Sequence, residues 1–593
     1  MESTIQVFGL LFLLGFAAES SPFPSPNATA VHQLFQRMDS NADTCNYFQQ
    51  FSSGSYSYND NCRAIQNSMS NTFNGKLRTM LKQLRKQAYH RRTSVEKKVL
   101  WFYDSCLTAP EETFAWEHYL EVLPHGPRLN WPPAYRKTGN QTFQWQRTLA
   151  RLRLVGLRNL LFDVDVALDP TDSSRTIVLF RKPIIKEIQN NKENANLLKS
   201  LGVRNDTVLF LGNKISQLQK AIQKLAAKRG TMENLSIKTL KNRTKLPLTQ
   251  YLKIVFGRSM ESNSTVWVED IEYLEGLRAV IDKYDGAVLI NYLMVSYIRY
   301  LVGLNDSLPG RKRGKCIAAV RVLMQPASEL LYNKYYPRNK EEVQRLFDDL
   351  KLSFLNLLTR NRLNLTDEDL SHHVRQQLYM TVSVGTLPDI DDQSGLVTNL
   401  YKNLKIDRGS DFAIAHLKVL QHRNRRVLAQ LHKPALKENR LFNLSPEPYY
   451  EISENNIVVP FDTLQKSYFS PNIHEAFRKS LLGFVIARQM LVNFAPQIQP
   501  ISLINQSDVP GISCVNRNCS SGFTDDEKDV LALALIMESL FEKDSELRQK
   551  HPSYLRLSSR EEFLVNFVEI FIAPNWRRGR GWMGMSGSIK PLR

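Results

Sequence analysis

The chain has 593 residues, 42% of them hydrophobic and 23% charged, a balance that excludes a collagen, a low-complexity chain and wholesale disorder. At roughly 100–200 residues per domain the length predicts two to four domains, each able to bury a core. Lys and Arg outnumber Asp and Glu by 78 to 58, a formal charge of +20, which points to acidic partners: nucleic acid, anionic glycans or a membrane surface.

The first element is apolar. Val7–Ala18 is followed by small residues and a Ser/Pro-rich stretch. Its twelve residues are too few to span a bilayer, which takes about 18 or more. Residues 1–20 therefore predict a cleaved signal peptide and 21–40 a linker, although the segment lacks a leading Lys or Arg. Apolar residues at three- and four-residue steps then predict helices over 76–90, 95–106, 214–228, 285–302, 315–332, 340–358, 370–384, 480–494, 525–541 and 560–572. Strand signals are few: 175–180, 205–211 and 262–268. The fold class is mainly α with small β elements. Pro, Asn and Gly clusters near 305–314, 385–395 and 440–448 mark candidate junctions.

Asn-x-Ser/Thr occurs at Asn27, Asn140, Asn205, Asn234, Asn242, Asn263, Asn305, Asn364, Asn443, Asn505 and Asn518, where chance would give about five. Asn443 is the weakest because Pro446 follows it. The excess predicts a glycoprotein of the secretory route, extracellular at its destination, and makes nucleic acid an improbable partner despite the charge. Six cysteines, Cys45, Cys62, Cys106, Cys316, Cys514 and Cys519, then predict disulfides; six allow 15 connectivities, and none is spaced as CxxC.

Several segments resemble the neprilysin family of zinc metallopeptidases. Val95–Cys106 is similar to the family helix ending in Tyr-x-Ser-Cys, and Cys45–Phe51 to its Cys-x-Asp-Phe-Tyr-x-Tyr opening. Leu289–Leu301 and the stretch from Lys315-Cys316 to Tyr336 resemble its paired central helices. Gly385–Asp389 resembles a family turn, and Tyr449–Pro460 the stretch before its catalytic helix. The resemblance implies a two-lobed, mainly α neprilysin-like (gluzincin) ectodomain. We expect residues 41–440 to form the N-terminal helical lobe, 441–576 a degenerate catalytic lobe and 577–593 a basic tail. It also implies zinc held by His-Glu-x-x-His and by a Glu on a later helix.

Here the family's chemistry fails. Where it has Val-Ile-Gly-His-Glu-x-x-His-Gly-Phe, this chain reads Val485-Ile-Ala-Arg488-Gln489-Met-Leu-Val492-Asn-Phe494. Arg488 and Val492 fill the histidine slots, and Gln489 fills that of the general base. Zinc needs two imidazole lone pairs on one helix face; Arg offers only donors and Val no polar atom. An amide cannot take a proton from water. On the later helix Asp525 falls in the third ligand's slot and Asp529 is matched. The family's substrate-backbone Asn-Ala pair falls at Glu447-Pro448. Zinc is thus the family's cofactor, and here we expect none.

The resemblance implies a Cys106–Cys316 disulfide; Cys45 with Cys62 and Cys514 with Cys519 are weaker suggestions. Leu481–Phe494 is apolar almost all round and predicts a buried helix, in which the Arg488 guanidinium would pair with Asp525 or Asp529 in place of the metal. The alternative is an Arg reaching the rim of an open cavity.

Gly579–Gly584 fits GxGxxG without the strand and helix of a dinucleotide site, and Gly310–Lys315 lacks P-loop spacing, so both predict basic loops. His372-His373 predicts an exposed helical pair. Basic clusters at 76–98 and 418–440 could bind sulphated glycans or anionic lipid, against the plainer expectation of solvated helix faces. The expected function is a secreted, catalytically inactive peptidase homologue that binds peptides or extracellular proteins. The rivals are an active metalloendopeptidase with an unorthodox site and a basic glycan-binding protein.

Overall fold

The computed structural model describes residues 62–110, 118–119, 144–306, 312–432, 447–465, 475–494 and 525–541, apart from single residues and pairs within those spans, with Phe469, Phe563 and Phe567. Helices dominate. The first, α1 (Cys62–Lys86), buries Leu77, Met80, Leu81 and Leu84 along one stripe. α2 (Ser94–Thr108) opens on a capping box: Thr93 Oγ1 accepts from the Glu96 N–H at 3.2 Å, and the Glu96 carboxylate accepts from the Thr93 N–H at 2.8 Å.

Strands β1 (Asp163–Asp169) and β2 (Asp172–Arg181) make an antiparallel hairpin. The stretch 205–211, expected as a strand, is instead the start of α3 (Asn205–Ala226). Val208, Leu211, Ile215, Leu218 and Ile222 are buried at three- and four-residue steps, so the helical period runs through the segment and leaves the apolar pair Leu209-Phe210 exposed. β3 (Glu233–Ser236) and β4 (Thr265–Val268) complete a sheet of order β1-β2-β4-β3, in which β2 and β4 are parallel. The buried Arg153 lies 3.0 Å from the Asp165 carboxylate and donates to the Val164 carbonyl at 3.2 Å, fixing β1.

α4 (Gly286–Asp306) is apolar over Gly286–Leu304, long enough by composition to cross a membrane. It is a core helix here: Leu293, Val295, Tyr297 and Ile298 are fully buried. The single helix expected over 315–332 is two, α5 (Lys312–Leu323) and α6 (Gln325–Tyr335). Pro326 has no N–H for the Val322 carbonyl, which accepts from the Arg423 guanidinium instead, at 3.3 Å. α7 (Arg338–Thr359) and α8 (Asp367–Leu378) follow. The helix expected to run to 384 stops at Leu378; Thr381–Val384 is β5, a β-branched stretch paired in parallel with a later strand. α9 (Phe412–Leu428), β6 (Tyr449–Glu451) and β7 (Asn456–Val459) follow, with sheet order β5-β7-β6. The described part closes with a π-helical turn at Lys479–Gly483, α10 (Phe484–Met490) and α11 (Asp525–Phe541).

The chain divides into two compact units: Asn74–Tyr335 with Thr386–Leu444, and Tyr336–Gly385 with Met1–Phe73 and Ser445–Arg593. Two of the three stretches expected as junctions, 385–395 and 440–448, hold unit borders, at 385/386 and 444/445, whereas 305–314 lies inside the first unit. The division is not the linear one expected at 440/441. Tyr336–Gly385 belongs with the C-terminal part because β5 pairs with β7 and α7 packs on α11. In the first unit α2 is tied to α5 by a Cys106–Cys316 disulfide, with Cα atoms 5.6 Å apart. There the buried Glu329 accepts the N–H groups of Thr386 and Leu387 at 2.7 and 3.1 Å; burial pushes its carboxyl pKa up while those bonds pull it back.

Candidate functional site

The stretch Val485–Phe494, which the resemblance aligns with the metal motif, lies on α10 and its exit, in the second unit. The helix is set by its apolar side: Phe484, Ile486, Ala487 and Met490 are buried against the unit's core, and Leu491 and Phe494 continue that core past the helix end. The Phe494 ring centroid lies 5.5 Å from that of Phe354, edge to face, and 4.5 Å from that of His373, tilted. His373 is therefore buried, at 3% exposure, and burial lowers its pKa; only His372 of the expected exposed pair faces solvent.

The opposite side of α10 is open, and it carries the motif positions. Arg488 is 45% exposed in its side chain and Val492 39%, with Gln489 and Asn493 half-buried. The helix expected to be buried all round is thus buried on one side only. Its regular turn ends at Met490, where the Gln377 amide donates to the Met490 carbonyl at 3.3 Å. Leu491 and Val492 continue past that end in a tighter turn, their N–H groups donating to the Arg488 and Gln489 carbonyls at 3.2 and 3.3 Å, so Val492 departs from regular α-helical spacing with Arg488.

Of the two acids proposed as partners for Arg488, Asp529 is paired with it, and the Asp525 side chain lies outside the described residues. The Asp529 carboxylate is 1% exposed, and its Oδ1 lies 2.6 Å from Arg488 Nε. The Nε–H is not aimed at that oxygen, so the contact is an ion pair without an aligned hydrogen bond. Both expectations for Arg488 hold in part: the guanidinium is paired, yet it stands at the solvent-exposed side of the helix. Asp525 is the first residue of α11, one turn before Asp529.

Two contacts escaped sequence reasoning. Lys528 Nζ donates to the Val492 carbonyl at 2.9 Å, bracing the non-helical exit from α10. Lys479, in the π-helical turn, is buried, with its Nζ 3.6 Å from Asp349 and donating to the Ser539 carbonyl at 3.4 Å. Nothing in the local pattern marks either lysine, since both depend on which helices pack together. The π turn itself is a widened ring of the kind often found beside functional positions.

These residues do not fit zinc. Arg488 and Val492 supply no lone pair, Gln489 cannot act as a base, and Asp529 is engaged by a cation. Among the described residues no three His, Cys, Asp or Glu side chains are grouped to hold a metal ion.

Elsewhere, Asn205, Asn234, Asn242 and Asn263 are all exposed. Asn305 is described in its backbone alone, as is Cys62. Asn27, Asn140, Asn364, Asn443, Asn505 and Asn518 lie outside the described residues, as do Cys45, Cys514, Cys519, the basic tail and the leader.

The model of Peptidase family M13 matches residues 44–369, more than half of the chain. The chain belongs to Peptidase family M13. Neprilysin-11 of Caenorhabditis elegans is 24% identical over 252 residues, covering 38% of this chain and 29% of that one; Neprilysin-2 of the same organism is 21% identical over 262. The chain spans about a third of the length of these two M13 relatives. Membrane metallo-endopeptidase-like 1 of Homo sapiens is 22% identical over 538 residues, 78% and 67% of the two chains. Among solved structures the chain is similar to the zinc metalloprotease ZMP1 of Mycobacterium tuberculosis in complex with inhibitor, with TM-score 0.66, 15% identity and coverage of 94% and 92%. It is also similar to PepO from Lactobacillus rhamnosis, with TM-score 0.59, 14% identity and coverage of 85% of each. At such identities the likeness establishes the fold, the mainly α M13 architecture, and nothing finer.

Proposed function

We propose that this M13 member is a catalytically inactive, secreted peptidase homologue that works by binding a peptide or an extracellular protein. The observation that carries the reading is the Arg488–Asp529 ion pair. A side-chain cation sits where the family's motif places a metal ligand, and it engages the acid of the second helix. A guanidinium keeps its charge at any physiological pH and cannot polarise a carbonyl and activate water together, as a metal ion does. With Gln489 in the general base's slot, neither half of metal-assisted hydrolysis has a residue to perform it.

Secretion is supported by the apolar leader and by the sequons, of which the four with described side chains are exposed. The test is elemental analysis of the secreted protein prepared without chelator, run beside cleavage and binding assays on a mixed peptide library. The expected result is zinc far below one per chain, no chelator-sensitive cleavage, and retention of some peptides. Stoichiometric zinc with chelator-sensitive cleavage would restore the rival reading of an active endopeptidase.

A further inference from the structure

The positive charge is not spread over the molecule. The unit formed by Asn74–Tyr335 and Thr386–Leu444 holds 53 Lys and Arg against 29 Asp and Glu, a formal +24; the other unit holds 25 against 29, a formal −4. One unit thus carries more than the whole net charge.

Within that unit the charge is ordered. The part of α1 that belongs to it, Asn74–Lys86, contains no Asp or Glu, and neither does the rest of the helix. Arg78, Lys82, Arg85 and Lys86, at steps of four, three and one, fall within a 100° arc of the helix, opposite the buried Leu77, Met80, Leu81 and Leu84. All four are exposed, and they run for about 12 Å along the axis. Arg85 meets Asp104; Arg78, Lys82 and Lys86 have no acidic partner among the described residues. A second element adds to this row. Arg313, in the basic loop-and-helix start more than 220 residues away in sequence, is exposed and lies with Arg78 and Arg85 within coulombic reach of the buried Tyr103. Arg85 stacks over that ring at 5.7 Å. The α1 residues thus form one cationic row, with Arg313 of a second element near the ring that Arg85 covers.

We propose that this row binds a linear sulphated polysaccharide, with Arg78, Lys82, Arg85, Lys86 and Arg313 contacting successive sulphates. A narrow row suits a thin, regularly charged chain. A bilayer surface would call for apolar side chains to bury beside the cations. The large apolar residue exposed at this end of α1 is Tyr89, and Lys97 Nζ covers its ring at 4.3 Å. Single-stranded nucleic acid would call for an open aromatic platform, whereas Tyr103 is buried and the exposed Tyr89 ring is covered by Lys97.

The test compares full-length protein with a charge-reversed variant, Arg78→Glu/Lys82→Glu/Lys86→Glu. The control makes the same charge change on the same unit, at exposed Lys220→Glu/Lys224→Glu/Lys241→Glu. Binding to heparin oligosaccharides of defined length is measured across a salt series. The expected result is a drop of at least about tenfold in affinity near 0.15 M salt for the row variant, with the log–log salt slope shallower by about two to three, the number of contacts removed. The control is expected to stay within about twofold of the parent. Equal losses in both variants would reduce the effect to net charge and overturn the proposal, as would an unchanged row variant. Equal binding of desulphated heparin, or tighter binding to phosphatidylserine vesicles or a DNA duplex than to heparin, would also overturn it. If the reversed variant does not fold, Arg78→Gln/Lys82→Gln/Lys86→Gln carries the same comparison.

Discussion

Replacing Arg488 with Met keeps the length of the side chain and removes its charge, leaving the Asp529 carboxylate, 1% exposed, without its guanidinium neighbour. Breaking a fully buried pair costs about 3–5 kcal/mol. Arg488 is 45% exposed, however, so water screens much of its field. At about 4 Å, opposite charges are worth about 1 kcal/mol in water and about 4 kcal/mol at an effective dielectric of 20. A pair that is buried at one end and wet at the other belongs in the lower part of that range, about 1–2 kcal/mol. The assay is hydrogen exchange resolved to Phe484–Met490 and Asp525–Phe541, in the parent, Arg488→Met, Asp529→Asn and the double variant. About 1.4 kcal/mol appears as a tenfold loss of protection in both helices. The four proteins form a cycle whose coupling energy isolates the pair from the other contacts of each residue. A coupling under about 0.3 kcal/mol would show that the ion pair does not hold α10 to α11, and the view of Arg488 as the metal's replacement would fall with it.

Three further outcomes follow from the same structure. Restoring the family's residues by Arg488→His, Gln489→Glu and Val492→His leaves zinc far below one per chain by elemental analysis, because position 492 lies past the end of α10; stoichiometric zinc would mean that the helix continues. His416, buried and hydrogen-bonded through Nδ1 to the Tyr119 hydroxyl at 2.7 Å, is pushed down by burial to about 4 from 6.5. Its neutral form is the native one, so its contribution is complete above about pH 6.5 and is lost as pH falls toward 4, about 3 kcal/mol in all. Urea midpoints between pH 7.5 and 4.5 should fall more steeply for the parent than for His416→Met, and parallel curves would refute the assignment. Cys106→Ala/Cys316→Ala opens a closure of 210 residues and should cost about 2–5 kcal/mol, seen as a fall of about 5–10 °C in the melting midpoint of that unit; a change below about 2 °C would contradict it.

Long helices were legible in the sequence because a 3.6-residue period over four or more turns has few competing explanations. Asp525–Phe541 is recovered to the residue. Strands of three or four residues were not, since β5, β6 and β7 offer too few alternations to show a period, and β5 draws its pairing from β7, about 75 residues on. The stretch 205–211 failed for the opposite reason. Its β-branched and aromatic residues suggest a strand locally, and only continuation into Ile215, Leu218 and Ile222 reveals the helix. The unit border also had no local mark at 335/336, where only two residues separate the end of one helix from the start of the next.

At the altered site the identity of each slot was legible because ligand chemistry is categorical: Val binds no metal in any geometry. What geometry added was the reason the acids and the guanidinium occur together. Asp529 sits on the face of α11 that packs against α10, where a carboxylate with 1% exposure needs a cation within a few ångströms. In a zinc site the metal meets that need. Without imidazoles to hold a metal, an acid at this depth still favours a cation beside it, and a side chain reaching across from the neighbouring helix supplies one. Arg488 stands in the first histidine slot, so its stem starts where a ligand would start. Its guanidinium reaches the acid with Nε while the rest of the group stays in water. Half-exposure is then part of the solution: a guanidinium fully buried at that place would carry its own desolvation cost, whereas one at the open side of α10 neutralises Asp529 and leaves N–H donors facing solvent.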